Sequence, residues 1–282
     1  MTQDTRLSYS SATMLQTCSQ KYFYYKVAGL AFDEDFEQDS KAFDVGKAFH
    51  QILENTMHTR SESLSSELDK SCKDFNVENE KAMIYAMVLK YLDLHERSGL
   101  ECKATEFQLS TEDYIGFVDV ILTGKDGWWI ADLKTASMFS ELTAAKLRND
   151  FQLNLYSFFA PDIAAQFDLD PDQFRGCRYR VTTKSRGKYA EYQDFTKAVK
   201  SFYKGVHSFD VVVPKEIMSP EVAMARHKEL HDFSMSLRTG ESKPQKNFKA
   251  CDEYFRACQY WSQCHGETFS DCKSLIQVES TK

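Results

Sequence analysis

Residues Gly116–Thr135 read GFVDVILTGKDGWWIADLKT, a pattern that predicts a β-hairpin. Two apolar runs, Ile115–Leu122 and Trp128–Leu133, flank a turn segment at Gly124–Gly127. Apolar runs of this length with a short glycine-containing connection are typical of neighbouring antiparallel strands. We therefore expect the hairpin to belong to the sheet of an α/β protein.

Each predicted strand carries one acid inside its apolar run, Asp119 in the first and Asp132 in the second. A carboxylate among apolar residues is costly unless a cation compensates its charge, and a divalent metal does so most readily. Side chains two residues apart on a strand share a face, so Lys134 points the same way as Asp132, while Leu133 points into packing. A metal-dependent nuclease would present its ligands in this way. The alternative is a surface hairpin with an ordinary salt bridge.

The hairpin resembles the catalytic hairpin of the PD-(D/E)XK nuclease superfamily. Its Gly-x-x-Asp and Asp-x-Lys-Thr forms are most similar to the RecB-type branch. That branch includes the RecB and AddB nuclease domains, CRISPR-adaptation exonucleases and phage recombination exonucleases. The resemblance implies that Asp119, Asp132 and Lys134 are catalytic, that both acids bind metal, and that the Leu133 carbonyl is a further metal ligand.

A predicted helix upstream of the hairpin extends this resemblance. The segment Ala42–Met57 has an apolar stripe with helical spacing, and His50 stands beside it. A lone histidine on such a helix is more often structural than a ligand. RecB-type nucleases, however, have a Gly-x-x-x-His motif there, which Gly46 and His50 match. The resemblance therefore implies that His50 ligates the catalytic metal.

A second helix is predicted downstream of the hairpin, ending at Phe159. Gln152 and Tyr156 lie four residues apart in it and share a helix face. The resemblance extends to this Gln-x-x-x-Tyr pattern and implies that both side chains are site residues that position the substrate backbone. On the predicted edge strand Glu106–Leu109, Glu106 either approaches the site, as a glutamate before the first acid does in this family, or faces solvent.

Eight cysteines in a protein expected to be cytoplasmic do not favour a disulfide framework. Four of them, Cys251, Cys258, Cys264 and Cys272, crowd near the C-terminus, which favours metal or cluster ligation. Near the other end of the chain, Cys18 precedes a lysine and an aromatic run.

These cysteines resemble the iron–sulfur motif of RecB-type nucleases, in which one N-terminal cysteine joins three C-terminal ones. The residues so implicated are Cys18, Cys251, Cys258 and Cys264. A [4Fe-4S] cluster held by them would tie the two ends of the chain around the core. Six residues separate the first two C-terminal cysteines, whereas the commonest form of the family has two. Replacement of a ligand by Cys272 or His265, and zinc in place of iron and sulfur, therefore remain open.

A concentration of basic residues accompanies a predicted strand at Arg175–Thr183. It comprises Arg175, Arg178, Arg180, Lys184, Arg186 and Lys188. These cations are either phosphate contacts or part of an ordinary solvated hairpin. Further helices are predicted at Ser8–Val27, Glu78–Arg97, Thr196–Phe209 and Pro220–Leu237, the first of them capped by Ser10 or Ser11.

The composition limits the size of the core and the class of protein. With 282 residues, 42% hydrophobic and 27% charged, the chain can bury one sizeable core with a helical attachment. The formal net charge of −7 argues against avid, non-specific coating of DNA but not against turnover on it. No apolar run approaches the length of a membrane span, and the first residues have no signal-peptide character. We expect a cytoplasmic protein that is not in a membrane.

Together the patterns predict an α/β restriction-endonuclease-like core, a mixed sheet flanked by helices, with helical additions and a cysteine-ligated cluster joining the termini. We expect a helical region at residues 1–100 with the first cluster cysteine and the site histidine. The nuclease core is expected at 101–212, and C-terminal helices with the cluster at 213–282.

The predicted function is that of a Mg²⁺- or Mn²⁺-dependent DNA exonuclease in recombination, repair or CRISPR adaptation. A helicase, a recombinase or a CRISPR-adaptation protein is the expected kind of partner. Two alternatives stay open: a nuclease-fold module that binds DNA or a partner without cleavage, and a structure-specific endonuclease. The intact Asp, Asp and Lys set argues against the non-cleaving module.

Overall fold

The computed structural model describes residues 5–32, 41–57, 64–185, 194–253, 256–258, 260–265 and 275–277. Its contacts divide the chain into two compact units. The first unit comprises Met1–Asp39, Ser110–Gly116 and Met224–Lys282, and the second comprises Ser40–Leu109 and Phe117–Ala223. The three regions expected from the sequence stay a prediction.

A five-stranded mixed sheet forms the centre of the second unit. Its strands are β2 (Glu101–Ser110), β3 (Ile115–Gly124), β4 (Gly127–Ala136), β5 (Phe174–Thr183) and β6 (Ser208–Pro214), in the order β2-β3-β4-β5-β6. The β3–β4 and β5–β6 pairs are antiparallel, whereas β4 and β5 are parallel. With helices flanking this sheet, the predicted α/β restriction-endonuclease-like fold is confirmed.

The predicted hairpin is the β3–β4 pair. Its ladder runs from Gly124↔Gly127 to Val120↔Ala131. Gly127 has φ 130°, and a Cβ there would lie 2.1 Å from the Gln173 carbonyl oxygen. Because only glycine tolerates that backbone and that approach, Gly127 is required where the second strand begins.

The helices of the second unit cover the sheet. They are α3 (Lys41–Met57), α4 (Leu64–Asp74), α5 (Lys81–Ser98), α6 (Glu141–Arg148), α7 (Phe151–Phe158), α8 (Ala160–Phe167) and α9 (Phe195–Gly205). One hydrophobic cluster joins α3, α5 and α9 to β3 and β4, with Phe49, Met87, Leu122, Leu133 and Phe202 among its members. Burying one such large side chain contributes about 1.5–3 kcal/mol, so this cluster holds α3 against the sheet.

The first unit brings together segments that are distant in sequence. It contains α1 (Tyr9–Thr17), α2 (Ser19–Tyr22), β1 (Leu30–Phe32), the part of α10 (Pro220–Thr239) from Met224 onward, β7 (Asp252–Glu253), β8 (Arg256–Ala257), α11 (Trp261–His265) and β9 (Leu275–Gln277). Strands β1 and β9 pair antiparallel. A cluster of Leu7, Leu15 and Tyr22 with Leu230 and Leu237 forms the core of this unit.

Two predicted helices differ from the structure. The N-terminal helix is interrupted at Cys18, whose backbone is extended, and its cap is Ser8 rather than Ser10 or Ser11. The helix expected at Thr196–Phe209 ends at Gly205, and β6 follows from Ser208. The run FDVVV favours a strand because β-branched residues pack well on a pleated surface. Among the described residues, no helix combines the length and the apolar character needed to cross a membrane.

Candidate active site

The site begins where β3 and β4 separate. One residue beyond the last paired position, Asp119 accepts a hydrogen bond from the Leu133 backbone N–H at 2.6 Å. Asp132, on β4, is 1% exposed. Both predicted acids therefore lie at the same fork in the sheet, held by strand backbone rather than by a loop.

A chain of hydrogen bonds orients the lysine. Lys134 Nζ lies 2.7 Å from Asp132 Oδ2 and donates to Gln152 Oε1 at 3.1 Å. Gln152 Nε2 donates to the Tyr156 hydroxyl at 2.9 Å, and that hydroxyl donates to the Phe117 carbonyl at 2.7 Å. Gln152 and Tyr156 are both buried. Gln152 contacts Lys134, and Tyr156 contacts the backbone of β3.

Helix α7 places these two side chains. The Asp150 side chain caps the helix by accepting from the Gln152 N–H at 2.7 Å. Aspartate is among the preferred capping residues because it satisfies a backbone donor that has no partner inside the helix. The predicted sharing of one helix face by Gln152 and Tyr156 is confirmed by their hydrogen bond.

Three potential metal ligands converge beside the fork. The ligand atoms of His50, Glu106 and Asp119 all lie within 4.8 Å of one another. His50 Nδ1 is 3.7 Å from Asp119 Oδ2. One turn earlier on α3, a Cβ at Gly46 would lie 3.1 Å from Thr135 Oγ1. The glycine thus allows the close approach of α3 to β4 that brings His50 to the acids.

Glu106 reaches this group with an unusual backbone. Its φ is 47°, in the left-handed region, although it lies in the middle of β2. A non-glycine residue in that region costs about 1–3 kcal/mol and is concentrated at functional sites. Of the two alternatives that the sequence left open for Glu106, the structure supports approach to the site.

The surroundings of Asp119, Asp132 and Glu106 disfavour their ionised forms. Burial raises the pKa of Asp132, with the Asp119 charge adding, and burial also raises the pKa of Asp119 against the Leu133 N–H. Burial and the charges of Asp119, Glu54 and Asp132 raise the pKa of Glu106 to about 7. The buried carboxyl groups therefore favour their neutral forms unless a further cation lies beside them.

The pKa values of the two bases of the site, Lys134 and His50, shift in opposite directions. Burial opposes the charge on Lys134, but the adjacent Asp132 carboxylate outweighs it and raises the lysine pKa. Burial lowers the pKa of His50, which favours the neutral imidazole. Neutral imidazole is the form that binds metals.

These residues fit a divalent metal. Carboxylate oxygens suit Mg²⁺, and one imidazole among them also suits Mn²⁺. A dication beside Glu106 and Asp119 would supply the missing positive charge and favour their ionised forms. The donor set of His50, Glu106 and Asp119 is therefore chemically appropriate for such an ion.

One acid near the site was not predicted from the sequence. Glu54 lies one turn beyond His50 on α3, and its charge raises the pKa of both Glu106 and Asp119. The spacing of four residues from His50 was the available signal, since residues so spaced share a helix face.

A comparison with family models identifies the group to which this chain belongs. A family model described as the PD-(D/E)XK nuclease superfamily matches residues 6–265. The chain belongs to the PD-(D/E)XK nuclease superfamily. None of the curated proteins matches it. Membership assigns the chain to the metal-dependent nucleases. The family match does not distinguish the RecB type, which rests on the sequence motifs alone.

One arginine of the basic concentration in this nuclease lies in the protein interior. Arg180 is fully buried, donates to His95 Nδ1 at 2.8 Å and to Ser98 Oγ at 3.0 Å, and lies 3.6 Å from Asp210. Arg178 pairs with the other Asp210 oxygen at 2.8 Å. Neither a phosphate contact nor a solvated hairpin describes Arg180, so both expectations are wrong for it. Arg186 and Lys188 lie outside the described residues.

The first unit gathers the four cysteines that resemble a cluster motif. Cys18 lies at the break between α1 and α2, Cys258 follows β8 and donates its N–H to the Cys251 carbonyl at 2.8 Å, and Cys264 is in α11. Burial raises the pKa of Cys251, and the charges of Cys258 and Cys18 raise it further. The four thiols are thus close enough to influence one another.

Of the two alternative cluster ligands, one is described. His265 Nε2 lies 3.9 Å from Cys251 Sγ, whereas Cys272 lies outside the described residues. All four cysteines are free thiols rather than disulfides. Sulfur donors from both ends of the chain suit an iron–sulfur cluster or zinc, and the imidazole suits zinc.

Proposed function

We propose that this chain is a Mg²⁺- or Mn²⁺-dependent DNA exonuclease of the RecB type. The observation that carries the proposal is the joint placement of Lys134 against Asp132 and of Asp119 at the same fork. Superfamily membership supports hydrolysis, and the RecB-type character rests on the motifs around Asp119 and His50 and on their order in the chain.

In the proposed site, His50, Glu106, Asp119 and Asp132 hold one or two divalent ions, with the Leu133 carbonyl as a further ligand. When bound, the metal neutralises charge on the scissile phosphate and favours a hydroxide nucleophile. The carboxylates supply oxygen donors that the buried strands keep in place, and the neutral imidazole completes the set.

Lys134 has the central role among the residues that do not bind metal. Its ammonium group orients the attacking water and stabilises the negative charge that develops on the phosphate. Gln152 keeps that ammonium group in position through its 3.1 Å hydrogen bond, and Tyr156 holds Gln152 in turn. The two residues therefore position the lysine in addition to, or in place of, positioning the DNA strand.

The decisive experiment compares two DNA forms. End-labelled linear DNA and closed circular DNA are incubated with Mg²⁺, Mn²⁺ or a chelator and the wild-type protein, and with two variants. Lys134→Ala removes the proposed catalytic cation. Lys90→Ala is the matched control, because Lys90 instead lies over the Tyr203 ring at 3.7 Å.

We expect metal-dependent loss of linear DNA alone, unchanged in Lys90→Ala and reduced about 100-fold or more in Lys134→Ala. Cutting of the circle would replace the exonuclease by an endonuclease. No cutting by a folded, metal-supplied protein would favour the non-cleaving module. Equal rates for Lys134→Ala and wild type would remove Lys134 from the mechanism.

We also propose that Cys18, Cys251, Cys258 and Cys264 bind a [4Fe-4S] cluster. Support comes from their common location in the first unit and from their resemblance to the RecB-type motif. Zinc, with His265 as a ligand, is the alternative that the 3.9 Å distance to Cys251 favours. The cluster is structural in this proposal and takes no part in hydrolysis.

A further inference from the structure

A cavity of about 500 Å³ opens beyond the ends of β4 and β5 in the second unit. Its lining includes Met138, Phe139, Thr183, Lys184, His207 and Phe209. None of these residues belongs to the candidate active site. The volume falls within the range of small-molecule binding sites, which is about 300–1,000 Å³.

One wall of the cavity is aromatic. The rings of Phe139 and Phe209 are stacked, with centroids 4.4 Å apart and an interplanar angle of 18°. The His207 ring lies 6.2 Å from that of Phe209. Met138 is 65% exposed beside them. The wall thus offers flat, polarisable surface to whatever enters from solvent.

Cationic side chains accompany this wall. Lys184 lines the cavity and donates a hydrogen bond to the Ala42 carbonyl. The same lysine also lines a second cavity of about 270 Å³, which includes Lys41. Lys41 is 63% exposed and lies 3.5 Å from Glu80. Lys184 therefore places a cation beside the aromatic surface, and Lys41 lies in the neighbouring cavity.

Two elements, β4 and α3, lead from the candidate active site towards this cavity and the second one. At about 3.3 Å per residue, β4 carries the chain about 10 Å from Lys134 to the cavity residue Ser137. At about 1.5 Å per residue, α3 spans about 12 Å from His50 to Ala42, which lines the second cavity. With about 3.4 Å per nucleotide in a stacked strand, these lengths correspond to about three nucleotides.

We propose that this cavity binds an unpaired base of the DNA strand that occupies the candidate active site. The inference rests on the proposed function and specifies its substrate as a strand with unpaired bases near the cut. Aromatic faces with a neighbouring cation form a stacking platform for any base. A base inside a duplex has both faces covered by its neighbours, whereas an unpaired base can turn out of its strand and stack on this wall.

The test measures binding in chelator, where no cleavage occurs. A short fluorescent oligodeoxythymidylate is compared with an abasic strand of the same length and with a blunt duplex, by fluorescence anisotropy. The variants are Phe139→Leu, Phe209→Leu and the control Phe195→Leu. Phe195 is 44% exposed and contacts the Tyr85 ring, outside the cavity. Leucine keeps apolar volume while removing the aromatic face, and melting curves verify folding.

We expect wild type and Phe195→Leu to bind the oligodeoxythymidylate about tenfold more tightly than the abasic strand, which is the effect of one base–aromatic stack. Phe209→Leu and Phe139→Leu should bring that ratio close to one. A 5-iodouracil strand should crosslink to peptides that contain Phe139 or Phe209, identified by mass spectrometry.

Three results would overturn the subsite. They are a ratio that both leucine variants leave unchanged, crosslinks that map only to other peptides, and tighter binding of oligouridylate than of oligodeoxythymidylate. The cleavage assay is independent of this test. Cleavage without base-dependent binding would remove the subsite alone, and base-dependent binding without cleavage would remove the proposed function alone.

Discussion

Glu106 has a backbone conformation and a carboxylate charge that are both unfavourable in the protein without metal. Its backbone is left-handed within a strand, and its pKa is about 7 because of burial and of neighbouring carboxylates. Functional sites commonly retain such strain, because the rest of the structure holds the residue in place. Removing the charge should therefore stabilise the protein when no metal is present.

We predict that Glu106→Gln stabilises the chelator-treated protein by about 1 kcal/mol at about pH 8. In the unfolded chain this acid ionises near its ordinary value of 4.5, and in the fold near 7. Raising the pH through that window therefore removes stability from the wild type but not from the glutamine variant. The measurement is urea denaturation at pH values on both sides of the window.

Glu101→Gln is the matched control, since Glu101 is an exposed residue on the same strand. Its stability should stay within about 0.5 kcal/mol of wild type. An equal gain for Glu106→Gln at both ends of the pH window would assign the effect to packing rather than charge. Added Mn²⁺ should reverse the order, stabilising wild type more than the variant.

The location of several site residues could be predicted because it follows from local spacing. Asp119, Asp132 and Lys134 lie on two adjacent strands, so alternation alone brings them to one place. Spacing alone did not place Glu106 at the site, because its approach depends on a left-handed backbone that no neighbouring residue signals. The spacing of Glu54 from His50 was a signal of its position, but its effect depends on Glu106 and Asp119, which lie on other elements.

At the scale of elements, β5 differs most from its sequence interpretation. Alternating arginines suggested a basic surface, but the neighbouring helices cover that face of the strand. Arg180 lies in the protein interior with His95, Ser98 and Asp210 as its partners. Interior strands of parallel pairs are covered on both sides, and charge patterning alone does not reveal which helix provides the cover.

We predict that Asp210→Ala lowers the free energy of unfolding by about 3–5 kcal/mol. The substitution leaves the fully buried Arg180 guanidinium, and Arg178 beside it, without their shared carboxylate. The destabilisation arises from an uncompensated buried charge rather than from the intrinsic strength of the pair. Urea denaturation measures it directly.

Asp69→Ala provides the comparison for that experiment. Asp69 pairs with Lys81 at the surface and is 58% exposed, so its loss should change stability by less than about 1 kcal/mol. If Asp210→Ala were no more destabilising than Asp69→Ala, the Arg180 charge would have to be satisfied by His95 and Ser98 alone.

At the scale of the whole molecule, the first unit is built from three separate parts of the sequence. Residues near Cys18 share it with residues near Cys264. A metal cluster across such distant ligands contributes folding free energy only when all of them are assembled. The sequence predicted this joining of the two ends from the cysteines, whereas the apolar packing of Leu15 with Leu230 had no local signal.

We predict that Cys264→Ser removes the cluster and loosens the first unit. Anaerobically purified wild type should be brown, with iron and sulfide in near-equal amounts, and the variant should be colourless. Hydrogen exchange should increase in α1 and in the later part of α10, while β4 and β5 stay protected.

Cys102→Ser is the control for this experiment, because Cys102 is partly buried in the second unit. It should retain full iron content. A colourless wild type with stoichiometric zinc would replace the iron–sulfur assignment by a zinc site. Unchanged metal content in Cys264→Ser would remove that residue from the ligand set.

Because the first unit is built from distant parts of the sequence, its residues are completed later in translation than those of the second unit. The second unit has all its residues once Ala223 has been added, but α1 must wait for the chain that begins at Met224. At about 5–20 residues per second, the interval between Asp39 and Met224 lasts about 10–40 s. Throughout it, the apolar side chains of Leu7, Leu15 and Tyr22 lack their later partners Leu230 and Leu237. We therefore expect this segment to expose apolar side chains, the kind of surface that chaperones bind, until Leu230 and Leu237 have been added.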